Sequence, residues 1–199
     1  MGFLTGTCTF TKYRIEGDEP ISFRDFVDER LKRFAFRELE GASDEKTTGW
    51  VGLGSVLDTE FLNAYYSVGD YLAFSLRIDR RSVPAALHKK HVLEAEEKAR
   101  TMTGRRYLSK GEKTEIKDRV HATLMSKVMA VPSLFDVCWC VSERWLLLAS
   151  LAPKVREEFE KLFKRCFELE AFPFVPWTAR YLDPELEATL GRLTPASFV

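Results

Sequence analysis

Residues 69–80 read GDYLAFSLRIDR, and this stretch decides the fold. Its first two residues favour a turn, and every second residue after them is large and apolar, as on a β-strand with one buried face. The residues that share this face are Leu72, Phe74, Leu76 and Ile78. The pattern therefore predicts two strands that flank the turn.

The segment before these strands predicts a further strand and a helix. Thr7 to Ile15 is rich in threonine and aromatic residues, which favour a strand. Ser22 stands three residues before Asp25, in a capping arrangement for the start of a helix. The apolar residues of that helix recur at helical spacing and are Phe23, Phe26, Val27, Leu31 and Phe34.

The C-terminal part repeats this order of elements. Leu134 to Val141 and Trp145 to Leu151 predict a strand pair, and Pro153 opens an amphipathic helix. The apolar stripe of that helix contains Val155, Phe159, Leu162, Phe163 and Cys166. An extended segment at Phe172 to Trp177 and a helical turn after Pro184 follow.

A helical hairpin is predicted between these two parts. Pro84 suits the first position of a helix that reaches about position 102, and Gly104 ends that helix. Ser109 and Glu112 have the spacing of a capping box for a second helix, which runs to about position 128.

The sequence thus predicts an α+β fold. Two similar strand/helix units with antiparallel sheets are separated by a projecting basic helical hairpin. The predicted boundaries are 1–80 for the first unit, 81–130 for the hairpin, 131–182 for the second unit and 183–199 for a C-terminal tail.

A formal net charge of zero conceals an uneven distribution of charge. From Asp79 to Lys127 there are thirteen basic residues against seven acids, so this segment carries +6 and the remainder −6. A positive potential concentrated on one part of the molecule attracts a polyanion such as nucleic acid. An ordinary solvated helical face is the alternative, and charge alone does not decide between the two.

Composition indicates a folded protein in a reducing compartment. Of 199 residues 45% are apolar, and 15 are phenylalanine, which is enough to build a core. No run approaches the roughly 18 apolar residues of a membrane span, and the first ten residues lack the features of a secretory signal. The four dispersed cysteines do not form the pattern of a disulfide framework. We therefore expect a cytoplasmic protein with no membrane partner.

The second hairpin helix carries two neighbouring rows of side chains at four-residue spacing. The apolar row contains Ile116, Val120, Leu124 and Val128. The other row contains Lys113, Lys117, His121 and Met125. In one interpretation the apolar row packs on the partner helix while the lysines hold phosphates. In the other, the lysines lay their stems over the edge of the core with their charges in water.

Signals for catalysis are weak. No serine or cysteine stands at a recognisable motif spacing from His88, His91 or His121. The acidic residues form no pattern that would hold the ions of a two-metal nuclease. We therefore expect no enzymatic activity and no bound metal.

Signals for a cofactor are also weak. Cys138 and Cys140 lack the second pair that a closed zinc site needs, so core packing is the preferred interpretation. Residues 49–54, GWVGLG, lack the lysine of a phosphate loop and indicate a structural turn around Trp50. We expect no cofactor.

Five local patterns follow one another along the chain. They are Gly49-Trp50-Val51, the strand ending near Arg77, the run from Val83-Pro84 to Leu93-Glu94, Leu108-Ser109-Lys110-Gly111-Glu112-Lys113 with Ile116-Lys117-Asp118, and Phe172-Pro173-Phe174-Val175-Pro176. In this order and spacing they resemble the recombination-associated RdgC family over roughly Phe3 to Trp177.

The resemblance implies DNA binding without sequence specificity, a closed dimeric ring around the duplex, and restraint of a bacterial recombinase. We therefore predict a nucleoid-associated homodimer that binds the backbone of duplex DNA and modulates recombination or replication without catalysis. A protein–protein interaction module is the first alternative, and a metal-dependent nuclease is the second, because the family has carried an exonuclease label. The predicted phosphate contacts are Arg80, Arg81, Lys89, Lys90, Arg105, Arg106, Lys110, Lys113 and Lys117.

The resemblance leaves open how the subunits assemble around DNA. Family members continue beyond the equivalent of Trp177 into a region that helps close the ring, whereas this sequence stops at Val199. An open clamp, a dimer held by one contact and a different assembly are alternatives to encirclement.

Overall fold

The fold is built on one sheet that contains strands from both ends of the chain. The computed structural model describes residues 2–4, 7–39, 45–175 and 182–193. The strands are β1 (Thr11–Glu16), β2 (Lys46–Gly52), β3 (Ser67–Val68), β4 (Tyr71–Arg80), β5 (Val131–Cys140), β6 (Trp145–Leu148) and β7 (Glu170–Pro173). The helices are α1 (Phe23–Arg33), α2 (Ala85–Thr103), α3 (Lys110–Met125), α4 (Pro153–Phe167) and α5 (Pro184–Leu190), with one 3-10 turn at Leu62–Ala64.

The order of strands shows how the hairpin is inserted. The sheet runs β2-β4-β5-β6-β1-β7 with β3 beside β4, and neighbouring strands pair antiparallel. The longest pairing joins β4 to β5, from Tyr71 opposite Cys140 to Arg80 opposite Val131. The chain leaves the sheet at the end of β4 and returns beside it, so α2 and α3 form an insertion between two neighbouring strands.

The α+β class is confirmed, and the arrangement of the sheet differs from the sequence prediction in one respect. Separate antiparallel sheets were expected for the two units, but strands from both units form a single sheet. There are two causes: β4 of the first unit pairs with β5 of the second, and β1 pairs on one side with β6 and on the other with β7. A strand from the N-terminal unit thereby completes the part of the sheet that follows the hairpin.

The predicted apolar face of β4 is confirmed as the centre of the core. Leu72, Phe74, Leu76 and Ile78 are each at most 3% exposed. Helices α1 and α4 cover this face and bring aromatic rings onto it. Trp139 of β5 meets the rings of Phe23, Phe163 and Phe167 near edge-on, with centroids 5.2–5.3 Å apart. The face therefore holds a continuous aromatic core.

The expected turn around Trp50 is wrong. Trp50 lies inside β2 opposite Leu76, is fully buried, and packs edge-on against Phe74 with ring centroids 5.1 Å apart. Its neighbour Gly49 serves a close approach, because a Cβ at that position would lie 2.3 Å from the Cα of Phe36. The glycines of this segment thus permit the chain to pack against the edge of β2.

One predicted cap and two predicted helix boundaries also differ in the structure. Ser22 precedes α1 but makes no capping hydrogen bond through its side chain, so the capping arrangement with Asp25 is not formed. Pro84 has an extended ψ of 132° and precedes α2, which begins one residue later. The second hairpin helix ends at Met125, three residues earlier than expected. Of the predicted segment at 172–177, positions 176 and 177 lie outside the described residues.

Candidate nucleic-acid interface

Helices α2 and α3 pack on each other around a thin apolar seam. Val92 and Ile116 are each 6% exposed, and Val120 and Leu124 are half-buried along the same row of α3. The apolar row of the second helix is therefore the packing face. Met125, which the sequence placed in the lysine row, is also buried.

The two helices run antiparallel. The ring of His88 in the first turn of α2 lies against the ring of His121 in the second half of α3, with centroids 5.7 Å apart. One ring nitrogen of His88, Nε2, is 3.4 Å from the carbonyl oxygen of Lys117. The start of α2 therefore lies beside the third turn of α3.

The connection between the helices has the local structure that the sequence predicts. Gly104 ends α2 with a φ of 65°, in the left-handed region. The Glu112 N–H donates to Ser109 Oγ at 3.2 Å, and the Ser109 N–H donates to the Glu112 carboxylate at 2.7 Å. The backbone N–H of Ser109, followed by the Ser109 side chain, holds the pKa of the Glu112 carboxyl below its usual value. The capping box is confirmed.

The first group of predicted phosphate contacts lies at the root of the hairpin. Arg80 is exposed at the end of β4. Arg81 is half-buried, and its backbone N–H donates to the carbonyl of Glu45 at 2.9 Å. Of the two arginines, Arg80 is the more accessible to a ligand.

The second group lies where the two helices are in contact near the root. Lys89 and Lys90 are exposed near the start of α2, beside the turn of α3 that carries Lys117. Lys90 is 3.7 Å from the carboxylate of Glu94, and both side chains are exposed. An exposed pair of this kind is weak, so a phosphate can compete with the carboxylate.

The third group lies toward the tip. Arg105 and Arg106 are exposed in the connecting loop, where Arg105 is 3.4 Å from Glu112 and Arg106 lies 5.7 Å from the ring centroid of Tyr107. Lys110 and Lys113 are exposed on α3. With Lys117 they follow the three- and four-residue spacing of one helical stripe about 10 Å long.

Most of these cations are not neutralised. Arg80, Lys89, Arg106, Lys110, Lys113 and Lys117 form no ion pair with a carboxylate of the described residues. Asp79, which the charge count included, is instead buried and accepts two hydrogen bonds from Arg77 at 2.6 and 2.7 Å. Residues 80–127 alone hold thirteen basic residues against six acids, a net charge of +7.

Sequence reasoning missed three basic residues that share one groove. Lys98 of α2, Arg119 of α3 and Lys127, in the turn just after α3, line a groove of about 330 Å³ between the helices, over a floor that includes Val120 and Leu124. Arg119 and Lys127 are eight residues apart, which is the spacing of one helical face and could have identified them.

Residues 2–4, 7–39, 45–175 and 182–193 offer neither a metal site nor a helix that could span a membrane. There, no three His, Cys, Asp or Glu side chains lie close enough together to hold a metal ion. None of the described helices has the length and apolar character needed to cross a membrane.

A family model described as "Putative exonuclease, RdgC" matches residues 9–185. No curated protein matches this sequence. The matched range includes the whole sheet and the whole hairpin, so the fold and the candidate interface both lie inside it. The chain belongs to the RdgC family.

Proposed function

We propose that this protein binds duplex DNA without sequence specificity, through the basic hairpin, and modulates recombination or replication without catalysis. Family membership indicates a recombination-related, DNA-binding role. The single observation that carries the finer proposal is the set of exposed cations along α3 and at Lys89 of α2 that form no ion pair within the described part of the chain. Such a set neutralises backbone phosphates and releases their counterions, and it carries no information about base sequence.

The shape of the hairpin supports the same proposal. It projects from the sheet between β4 and β5, and its long helices pack chiefly on each other. The sides of both helices that face away from the seam are therefore available to a long ligand. We propose that these sides follow the backbone of the duplex, while the loop arginines contact phosphates near the tip.

The first test is a titration of labelled duplex DNA at several salt concentrations. The double variant Lys113→Ala/Lys117→Ala should weaken binding to all sequences alike and lower the slope of log affinity against log salt by about two. The matched control is Lys154→Ala/Lys161→Ala, which removes two exposed lysines from α4. Equal losses in both variants, or an affinity that does not change with salt, would contradict the proposal.

The same titration with and without magnesium distinguishes the nuclease alternative. Retention of intact DNA in both conditions supports a binding protein. Degradation that depends on magnesium would show a metal-dependent nuclease.

The second candidate function is a protein–protein interaction module. The groove between α2 and α3 favours it, because an apolar floor with Lys98, Arg119 and Lys127 around it fits an acidic amphipathic segment. If this were the main function, duplex DNA would not bind in the titration at moderate salt. Variants of the groove would then affect only capture of an acidic helical peptide.

Assembly and location belong to the same proposal. We propose a homodimer on the nucleoid, in the cytoplasm, with a recombinase as a further partner. The solution mass, measured by light scattering with and without DNA, tests the dimer. A monomeric mass at every protein concentration would contradict the proposed dimer. It would not affect the proposal of DNA binding, which the salt titration tests.

A further inference from the structure

The face of the sheet opposite α1 and α4 carries a row of aromatic and basic side chains. In β1 the buried Tyr13 packs on Phe159 of α4, with ring centroids 5.2 Å apart. Because side chains alternate along a strand, Lys12 and Arg14 project from the opposite face, and both are exposed. This face and the helix-covered face therefore differ in chemistry.

Strand register aligns residues from five strands into one row across this face. Tyr71 pairs with Cys140, Cys140 with Trp145, Trp145 with Arg14, and Arg14 with Phe172. Residues that pair directly across neighbouring strands point to the same face, so the row runs from β4 to β7, and Cys140 in it is only 2% exposed. It brings together residues that are far apart in the sequence.

The rings of this row are close together and accessible. The centroids of Tyr71 and Trp145 are 6.1 Å apart. Tyr71 is 47% exposed and Phe174, just after β7, is 37% exposed. The ammonium of Lys12 lies 5.6 Å from the ring centroid of Trp145 and 5.3 Å from that of Phe174. An open cavity of about 510 Å³ lies over Lys12, Arg14, Trp145 and Phe174.

The charges beside the row favour an anionic ligand. The carboxylate of Glu143 accepts a hydrogen bond from Trp145 Nε1 at 2.8 Å, which also fixes the plane of the indole. Glu19 is engaged by Arg144 at 3.1 Å. Lys12 and Arg14 form no ion pair with a carboxylate in the part of the chain that the structure describes.

We propose that this aromatic row, together with Lys12 and Phe174 beside it, is a binding site for single-stranded nucleic acid, separate from the hairpin. Unpaired bases would stack on Tyr71, Trp145 and Phe174, while Lys12 and Arg14 contact the phosphates between them. A duplex cannot use the site in this way, because the faces of its bases are already stacked on each other. The inference does not depend on the proposed function of the hairpin.

The two sites are well separated. The row meets β4 at Tyr71, and the hairpin leaves β4 at the other end, after Arg80. A strand of this length spans roughly 30 Å. Substitutions at one site are therefore expected to leave the other unaffected.

The test measures the affinity of the full chain for labelled oligothymidine, an abasic oligomer of equal length, and a duplex. Trp145→Ala and Tyr71→Ala should each weaken oligothymidine binding about tenfold, because each removes one stacking ring. Duplex affinity should be unchanged in both. Tyr71 is exposed, so the Tyr71→Ala variant keeps the test valid if Trp145→Ala fails to fold. The matched control is Tyr65→Ala, which removes a tyrosine that is 83% exposed.

Three further outcomes separate the single-strand site from the hairpin site and from a contact between copies of the chain. Lys113→Ala/Lys117→Ala should lose duplex affinity and keep oligothymidine affinity, so failure of the hairpin proposal is visible separately. Equal binding of oligothymidine and the abasic oligomer by the wild-type protein would overturn the stacking site. So would a change in solution mass of Tyr71→Ala with no change in oligothymidine affinity, since the face would then be a contact between copies of the chain.

Discussion

Two regions of the molecule differ in what they bury. One is the sheet, with helices α1 and α4 packed on it; the other is the hairpin formed by α2 and α3. The sheet buries a connected set of rings that includes Trp50, Trp139, Phe163 and Phe167, each at most 1% exposed. The buried apolar residues of residues 85–125 are only Val92, Leu108, Ile116 and Met125. The hairpin thus has little core for its length and a large charged surface. The sheet therefore supplies the stability of the protein, and the hairpin supplies its charged surface.

A buried ion pair lies on β4, close to the point where the hairpin leaves the sheet. Arg77 on β4 contacts Asp79 at 2.6 Å, lies over the ring of Phe36 at 3.8 Å and donates to the carbonyl of Val56 at 2.8 Å. Each group of this pair has a defined partner, which limits the cost of burying the charges. The pair therefore links the segments that carry Phe36 and Val56 to the end of β4 from which the hairpin leaves the sheet.

The largest expected effect comes from breaking the sheet core. Trp139→Ala removes a ring that meets three phenylalanines, and it should lower the free energy of unfolding by about 4 kcal/mol. The hairpin should unfold together with the sheet, because its seam is too small to keep two helices folded alone. Urea denaturation followed by circular dichroism measures the loss.

The control for this variant is Tyr65→Ala, which removes a mostly exposed ring. It should change stability by less than about 0.5 kcal/mol. A similar loss in both variants would contradict the assignment of stability to the aromatic core.

A smaller effect is expected from breaking the seam of the hairpin. Ile116→Ala should cost about 2 kcal/mol, because it leaves a cavity beside Val92 that two helices can partly close. The loss should be local, so amides of α2 and α3 exchange hydrogen faster while amides of β4 and β5 keep their protection. Hydrogen exchange measured by mass spectrometry separates these segments. Faster exchange in β4 would show that the two regions unfold as one.

The sheet and the hairpin also differ in how much of their structure could be predicted from sequence. The hairpin is defined by local signals, since Gly104, Ser109 and Glu112 act within a few residues of their own positions. The apolar face of β4 is likewise a local alternation. The pairing of β1 between β6 and β7 depends on contacts more than one hundred residues apart, which no local pattern contains.

The candidate sites follow the same division. The exposed lysines of α3 were identifiable because helical spacing places them on one stripe. Arg77 and Asp79 were not identifiable as a pair, because their burial depends on how the chain covers the back of β4. The aromatic row was missed for a related reason: Lys12, Tyr71 and Trp145 come together only through strand register.

The smallest expected effect concerns the acid sensitivity of the capping box. The pKa of Glu112 is lower in the folded protein than in the unfolded chain, mainly because of the hydrogen bond from the Ser109 backbone N–H. The stabilisation is therefore fully present above the usual pKa of a glutamate and is lost as the pH falls through the lowered value. In that window the unfolded chain binds more protons, so stability of the hairpin falls with pH.

Glu112→Gln removes this dependence, because a glutamine does not titrate. The measurement is the protection factor of the Glu112 and Lys113 amides by NMR hydrogen exchange, from neutral pH to below the usual glutamate pKa. The wild-type protein and the control Glu115→Gln, an exposed acid on the same helix, should lose protection in parallel as the pH falls. The Glu112→Gln protein should start with lower protection and change less. Parallel curves for all three proteins would mean that the carboxylate does not hold the start of α3, and that the hairpin depends on its apolar seam alone.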